Sequence, residues 1–231
     1  IITPLKDRYG AQIRTHYPRT IEDEIRIMEQ ERSRFPIEER LLIPPYMTEV
    51  IAEITALARR SPDINQRSGV SVRVSIANYE TVIANATRRA IRLNEERVVP
   101  RVSDLPFIVA SFTGKIELET FEEGRESRVL DELTKKALLT VFNKRFHVKE
   151  LEPVVQLFEA GLALEVGSEV PAKAYVEMAR ANEPLAEAAK SLGSEATPEL
   201  LASTVEFVLE GLHLNRRLNR DRLERGFRYR S

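Results

Sequence analysis

The sequence contains no cysteine, which excludes disulfide bonds and thiolate metal sites. It has almost no net charge: 35 basic and 36 acidic residues leave −1, so no global electrostatic drive toward nucleic acid or an anionic membrane is expected. No apolar run approaches the length of a membrane span, and the first residues lack a secretory signal. These absences make the cytoplasm the expected location.

The motifs of several common catalytic sites are also missing. No G-x-x-x-x-G-K-S/T occurs, because Gly114-Lys115 is followed by Ile116 and lacks the upstream glycine. No apolar strand ends in acidic residues of the Walker-B type, and no G-x-S-x-G nucleophile elbow is present. By themselves these residues cannot cradle nucleotide phosphates or hold Mg²⁺. Three histidines lie far apart, without metal-ligand spacing, and are expected in surface or packing positions: His16, His147 and His213.

What remains is an ordinary globular composition. The 231 residues are 42% hydrophobic, which allows one large domain or two small ones with a true core. The chain opens with the apolar segment Ile1–Pro4, an unusual natural N-terminus. We therefore expect it to be part of a longer polypeptide.

Apolar periodicity predicts a mainly α-helical protein. Thr20 fits an N-cap with acidic residues after it, and the helix that it starts should end near Phe35. From Ile76 to Leu93, apolar residues recur at spacings of three and four, which predicts one long amphipathic helix. Further helices are expected at about 47–58, 104–112, 126–146, 148–164, 171–180, 183–192 and 198–213, and an extended segment at 113–124.

The C-terminal tail, residues 215–231, is rich in arginine, with Phe227 and Tyr229 interleaved. Such a segment could bind phosphate backbones or an acidic partner face. It could equally be the end of a helix whose leucines pack and whose arginines are solvated or ion-paired.

Two short segments carry a family resemblance when taken together and in this order. They are Pro4–Gly10, with the sequence PLKDRYG, and Gly69–Arg73, with the sequence GVSVR, at the start of the long helix. They resemble AAA+ ATPases of the MoxR and magnesium-chelatase I-subunit group. The run Ser68–Arg89 is similar to bacterial proteins described as magnesium-chelatase-like or sigma-54-interaction-domain ATPases.

The resemblance implies a division of the chain into three parts. Residues 1–18 would end an α/β ATPase core, 19–118 would form the helical lid, and 119–231 would be a helical C-terminal extension that carries the Arg-rich tail. The expected fold class is therefore mainly α. The P-loop and the Walker-B strand would lie upstream of Ile1.

The resemblance also implies roles for three residues. Arg8 stands at the position of the arginine finger, which acts in trans on the γ-phosphate, and Asp7 would support it. Arg73 stands at the sensor-2 position of the lid, where a forked guanidinium contacts bound nucleotide. Arg14 and Arg67 are nearby alternatives. Without the family pattern, an Asp-Arg pair or a helix-starting arginine is usually an exposed charge.

The implied protein is a ring-forming ATPase, expected to be a hexamer, that uses ATP and Mg²⁺ to remodel a partner protein. The segment by itself would bind neither cofactor, and the partner could carry a von Willebrand A-type domain. Insertion of magnesium into a porphyrin is a weaker inference. The alternatives are a stand-alone helical protein-interaction module and, from the tail alone, a nucleic-acid-binding regulator.

Overall fold

The computed structural model describes residues 8–11, 13–119, 124–193, 197–224 and 226–231, and in these ranges the protein is mainly helical, as predicted. No helix in these ranges is both long enough and apolar enough to cross a lipid bilayer. The α-helices are α1 (Ile21–Glu31), α2 (Pro45–Ala58), α3 (Arg73–Arg92), α4 (Val109–Thr113), α5 (Arg125–Arg145), α6 (Glu152–Glu159), α7 (Ala172–Ala181), α8 (Glu183–Lys190) and α9 (Pro198–Leu214). Three short 3₁₀ segments lie at Glu38–Arg40, Val102–Ile108 and Val148–Leu151.

The predicted start of the first helix is confirmed, whereas its predicted end near Phe35 is wrong, because α1 ends at Glu31 and Arg32 already takes an extended conformation. The Thr20 side chain accepts a hydrogen bond from the backbone N–H of Asp23 at 3.1 Å and so caps α1. Helix α3 ends where Asn94 takes a left-handed conformation, with φ at 51°. The extended segment after α4 is confirmed by an antiparallel bridge between Ile64 and Leu118.

The predicted helix at 148–164 is wrong in its extent. A 3₁₀ turn covers Val148–Leu151, and α6 begins only at Glu152, beside Pro153, which lacks a backbone donor and is tolerated in the first helical turn. After α6 the chain turns through Gly161, with φ at 101°, into strand β1 (Leu164–Val166).

The tail is not the end of a helix, so that interpretation is wrong and the extension is not wholly helical. Strands β2 (Asn219–Leu223) and β3 (Gly226–Arg230) form a hairpin, and β3 also pairs with β1, giving the strand order β1-β3-β2. The predicted ion pairing of the tail arginines is confirmed at four of them. Their partners are acidic residues of α6, α9 and the sheet: Arg217–Glu152, Arg220–Glu210, Arg228–Glu165 and Arg230–Asp221.

One hydrophobic core joins the two halves of the chain. Tyr46 of α2 stacks on Phe207 of α9 with ring centroids 4.4 Å apart, and Phe142 of α5 meets Phe207 edge-on. The Tyr46 hydroxyl donates to Ser203 at 2.8 Å, and burial raises its pKa to about 12. The division at residues 118 and 119 stays a prediction, and packing is continuous across it.

A buried ion network joins the same two halves. Arg89 of α3, 1% exposed, contacts Glu95 at 2.7 Å and Asp104 at 2.9 Å. Glu95 also pairs with Arg101 and accepts the backbone N–H of Ala172, at the start of α7. Although burial opposes the charge on Arg89, Asp104 holds the pKa of the guanidinium above its ordinary value. The network therefore fixes α3 against α7.

Candidate functional site

The residues predicted from the family pattern lie in different surroundings. Asp7 lies outside the described residues. Arg8 is exposed in a turn and makes no ion pair within the described part of the chain. Arg73 is exposed as the first residue of α3, and its backbone N–H bonds to the Ser71 hydroxyl at 3.3 Å. No described contact joins Arg8 to Arg73.

An open groove of about 1220 Å³ runs beside the start of α3. Its walls are the segment 14–19, the first turns of α1, the loop that carries Gly69, Ser71 and Val72, and the side chain of Lys115. Arg14, one of the two alternatives to Arg73, lines this groove, whereas Arg67 and Arg73 do not. The groove thus brings together the segment that follows the predicted finger and the G-x-S-x-R loop.

The groove is strongly cationic. Arg14, Arg19, Arg26 and Lys115 line it, and Asp23 is its one acidic lining residue. None of the four cations forms an ion pair with any residue that the structure describes. Unpaired guanidinium and ammonium groups around one concave surface attract anions, and guanidinium forks match phosphate oxygens.

Tyr17 connects two walls of the groove through side-chain contacts. Its hydroxyl accepts the backbone N–H of Val70 at 3.1 Å, and the Arg59 guanidinium lies 4.7 Å from the centre of its ring. Beside it, the Nδ1–H of the exposed His16 donates to the Tyr17 carbonyl at 2.7 Å. The wall is therefore positioned by side-chain contacts, and not only by chain connectivity.

The same anchor continues into the helices. Arg59 of α2 donates to the Val70 carbonyl at 3.0 Å and forms a two-pronged pair with the buried carboxylate of Glu24, at 2.7 and 2.9 Å. Ser75, in the first turn of α3, donates to the same carboxylate. Segment 14–19, α1, α2 and the Gly69–Arg73 loop are consequently connected into one unit.

Gly69 permits the close approach of Tyr17 to this loop. It has φ at 72°, and a Cβ added there would overlap the Tyr17 hydroxyl oxygen. We expect Gly69→Ala to lower the free energy of unfolding by roughly 1–3 kcal/mol, from backbone strain together with the clash. Urea unfolding followed by circular dichroism measures this loss.

Two further variants separate clash from strain. Gly193→Ala is the matched control, because Gly193 has the same φ of 72° with no atom near the added Cβ, and its loss should be smaller. Adding Tyr17→Phe to Gly69→Ala should recover part of the loss by removing the overlapping oxygen. Equal losses at the two glycines, with no recovery, would show that Tyr17 does not press on Gly69.

Three of the groove cations were not predicted as site residues from the sequence. Lys115 was considered only as part of an incomplete P-loop, and Arg19 and Arg26 carry no motif. The bridge between Ile64 and Leu118 brings Lys115 to the loop, and such a pairing leaves no local sequence signal. Within the described ranges, no cluster of three or more histidine, aspartate or glutamate side chains could hold a metal ion.

Comparisons of this chain with protein-family models, with curated proteins and with solved structures found no match. The family resemblance therefore stays a prediction from the two sequence segments.

Proposed function

We propose that this chain is the lid and C-terminal extension of a ring-forming AAA+ ATPase of the MoxR and magnesium-chelatase group, which couples ATP hydrolysis to remodelling of a partner protein. The proposal requires a preceding P-loop core in the same polypeptide. One observation carries it: the G-x-S-x-R loop and the segment after the predicted finger meet in one groove, whose cations form no ion pair with a described residue.

The groove suits a polyphosphate by its charge and its volume. Four cations against one carboxylate among the described lining residues leave an excess of positive charge, and a volume of about 1220 Å³ can hold a nucleotide. On this proposal the ligands of Mg²⁺ come from the preceding core. ATP supplies the phosphoanhydride bond whose hydrolysis drives the cycle, and this chain supplies positive charge and positioning.

The contacts among Tyr17, Arg59 and Glu24 would let the lid move as one rigid unit when an anion binds in the groove. Because these contacts connect the groove walls to α1, α2 and the start of α3, a movement of the walls around an anion is carried to those helices. The core continues from α2 into α5 and α9, so the extension would move with the lid. Arg73, exposed at the start of α3, would contact the nucleotide once the preceding core covers the groove.

Reversing two groove charges tests the proposal. In the complete protein we expect Arg26→Glu/Lys115→Glu to weaken ATP binding at least about tenfold, since each charge-assisted contact is worth about 1.5–3 kcal/mol. Isothermal titration calorimetry with a non-hydrolysable ATP analogue measures the affinity.

The matched control is Lys149→Glu/Arg216→Glu, which makes the same charge change at two exposed sites outside the groove. Its affinity should stay within about twofold of wild type, because distant exposed charges are screened by salt. If both double variants lose ATP affinity equally, the effect comes from the change in net charge, and the groove is not part of the nucleotide site.

A further inference from the structure

Strand β2 is an unpaired edge of the small sheet. It pairs with β3 on one side only, and the hairpin closes with Leu223 opposite Gly226 across a two-residue connection. In such a hairpin the closing pair is hydrogen-bonded and the pattern then alternates, so the main-chain N–H and C=O groups of Arg220 and Arg222 point away from β3. No described residue bonds to these four groups. The edge is therefore open to another strand.

A second groove, of about 510 Å³, lies along this edge between the hairpin and α5. Val109, Leu130 and Phe227 give it an apolar floor. The Arg220 guanidinium is 4.2 Å from the centre of the Phe227 ring and pairs with Glu210, which holds that side of the floor in place. The groove accordingly offers apolar contact directly beside free main-chain groups.

The rim of this groove is positively charged. Arg222 lines it, is exposed, and forms no ion pair with a described residue. Arg128 and Lys135 of α5 line it as well, and Asp131, its one acidic lining residue, is paired with Lys135 at 2.5 Å. An occupant with negative charge is favoured.

We propose that this groove binds an extended segment of a partner protein, which adds a strand to the free edge of β2 and turns both apolar and acidic residues toward the groove. Arg222 and Phe227 lie opposite each other in the hairpin, so the cationic rim and the apolar floor are on the same face of the sheet. The partner residues that meet them are therefore those of one parity, at every second position of the added strand. This docking site goes beyond the proposed ATPase role and does not depend on it.

A peptide fits these observations better than a nucleic acid. Three other tail arginines are already paired: Arg217 with Glu152, Arg228 with Glu165 and Arg230 with Asp221. A nucleic acid would therefore find few unpaired cations, and it could not extend the ladder of main-chain hydrogen bonds that the β2 edge offers.

The test uses the 231-residue chain and fluorescein-labelled peptides in which every second residue is, in turn, glutamate and one of valine, isoleucine or tyrosine, with threonine at the positions between them. In fluorescence anisotropy at low salt we expect saturable binding by at least one of them, and an affinity at least about tenfold lower for Arg222→Glu. The same peptide with N-methyl groups on the residues that face β2 should lose binding, because those N–H donors are removed.

Arg216→Glu is the control variant, since Arg216 is an exposed tail arginine outside the groove, and its affinity should equal that of wild type. The proposal is overturned if no peptide binds saturably, if lysine in place of glutamate binds equally well, or if Arg222→Glu and the N-methyl groups leave affinity unchanged. The groove would instead be assigned to nucleic acid if no peptide binds, a single-stranded oligonucleotide does bind, and Arg222→Glu abolishes that binding.

Discussion

Replacing Arg8 with alanine in the complete ATPase is expected to lower the rate of ATP turnover by about 10³-fold or more, while ATP affinity is retained. Arg8 is exposed and forms no ion pair within the described residues, and in the proposed ring it would act on a neighbouring subunit. A finger stabilises charge that develops in the transition state, and its loss therefore lowers turnover rather than binding. Steady-state phosphate release and the dissociation constant of a non-hydrolysable analogue, measured together, separate the two effects.

The control for Arg8 is Arg67→Ala. Arg67 is also an exposed arginine in a loop, its backbone N–H bonds to Asn65, and it does not line the groove. Its turnover should stay near wild type. If Arg8→Ala turns over ATP at the wild-type rate, Arg8 is not the arginine finger. If both variants lose turnover equally, the loss is not specific to Arg8.

Replacing Arg89 with methionine is expected to lower the free energy of unfolding by about 3–5 kcal/mol. The substitution leaves Glu95 and Asp104, both buried, without the guanidinium that compensates them. Methionine fills much of the same volume, so the loss reports on charge rather than on an empty cavity. Equilibrium unfolding in urea at neutral pH gives this quantity directly.

Arg92→Met, three residues further along α3, is the matched control. Arg92 pairs with Glu169 at 2.8 Å, but its side chain is 45% exposed, whereas that of Arg89 is 1% exposed. An exposed pair is worth under about 1 kcal/mol. A loss at Arg89 no larger than that at Arg92 would show that the buried network does not fix α3 against α7.

Most helices were predictable because their signals are local. Thr20 caps α1 through a contact within its own first turn, and the apolar spacing from Ile76 to Leu93 needs no partner to be recognised. The hairpin was not predictable in this way. Strand β2 is polar except for Leu223, and its turn lacks an Asn-Gly or Asp-Gly signal. In β3, Phe227 and Tyr229 do alternate with arginines, but this strand pairs with residues 164–166, far earlier in the chain.

The candidate site was predictable only in part, for the same reason. The G-x-S-x-R loop carries a recognisable pattern, and the structure places that loop in a groove. The cations that make the groove attractive to an anion come from the segment 14–19, from Arg26 of α1 and from Lys115, which are brought together by tertiary contacts. A motif of consecutive residues predicts the loop, but it does not predict which charged side chains surround the loop in the folded protein.

The rate of ATP hydrolysis by the complete gene product, compared with that of the 231-residue chain alone, tests the central claim most directly. Our account predicts that the complete product contains a P-loop upstream of Ile1, assembles into a ring and hydrolyses ATP, while the isolated chain does not. A gene product that starts near Ile1, or one that neither binds nor hydrolyses ATP, would contradict it and would leave a helical protein-interaction module in its place.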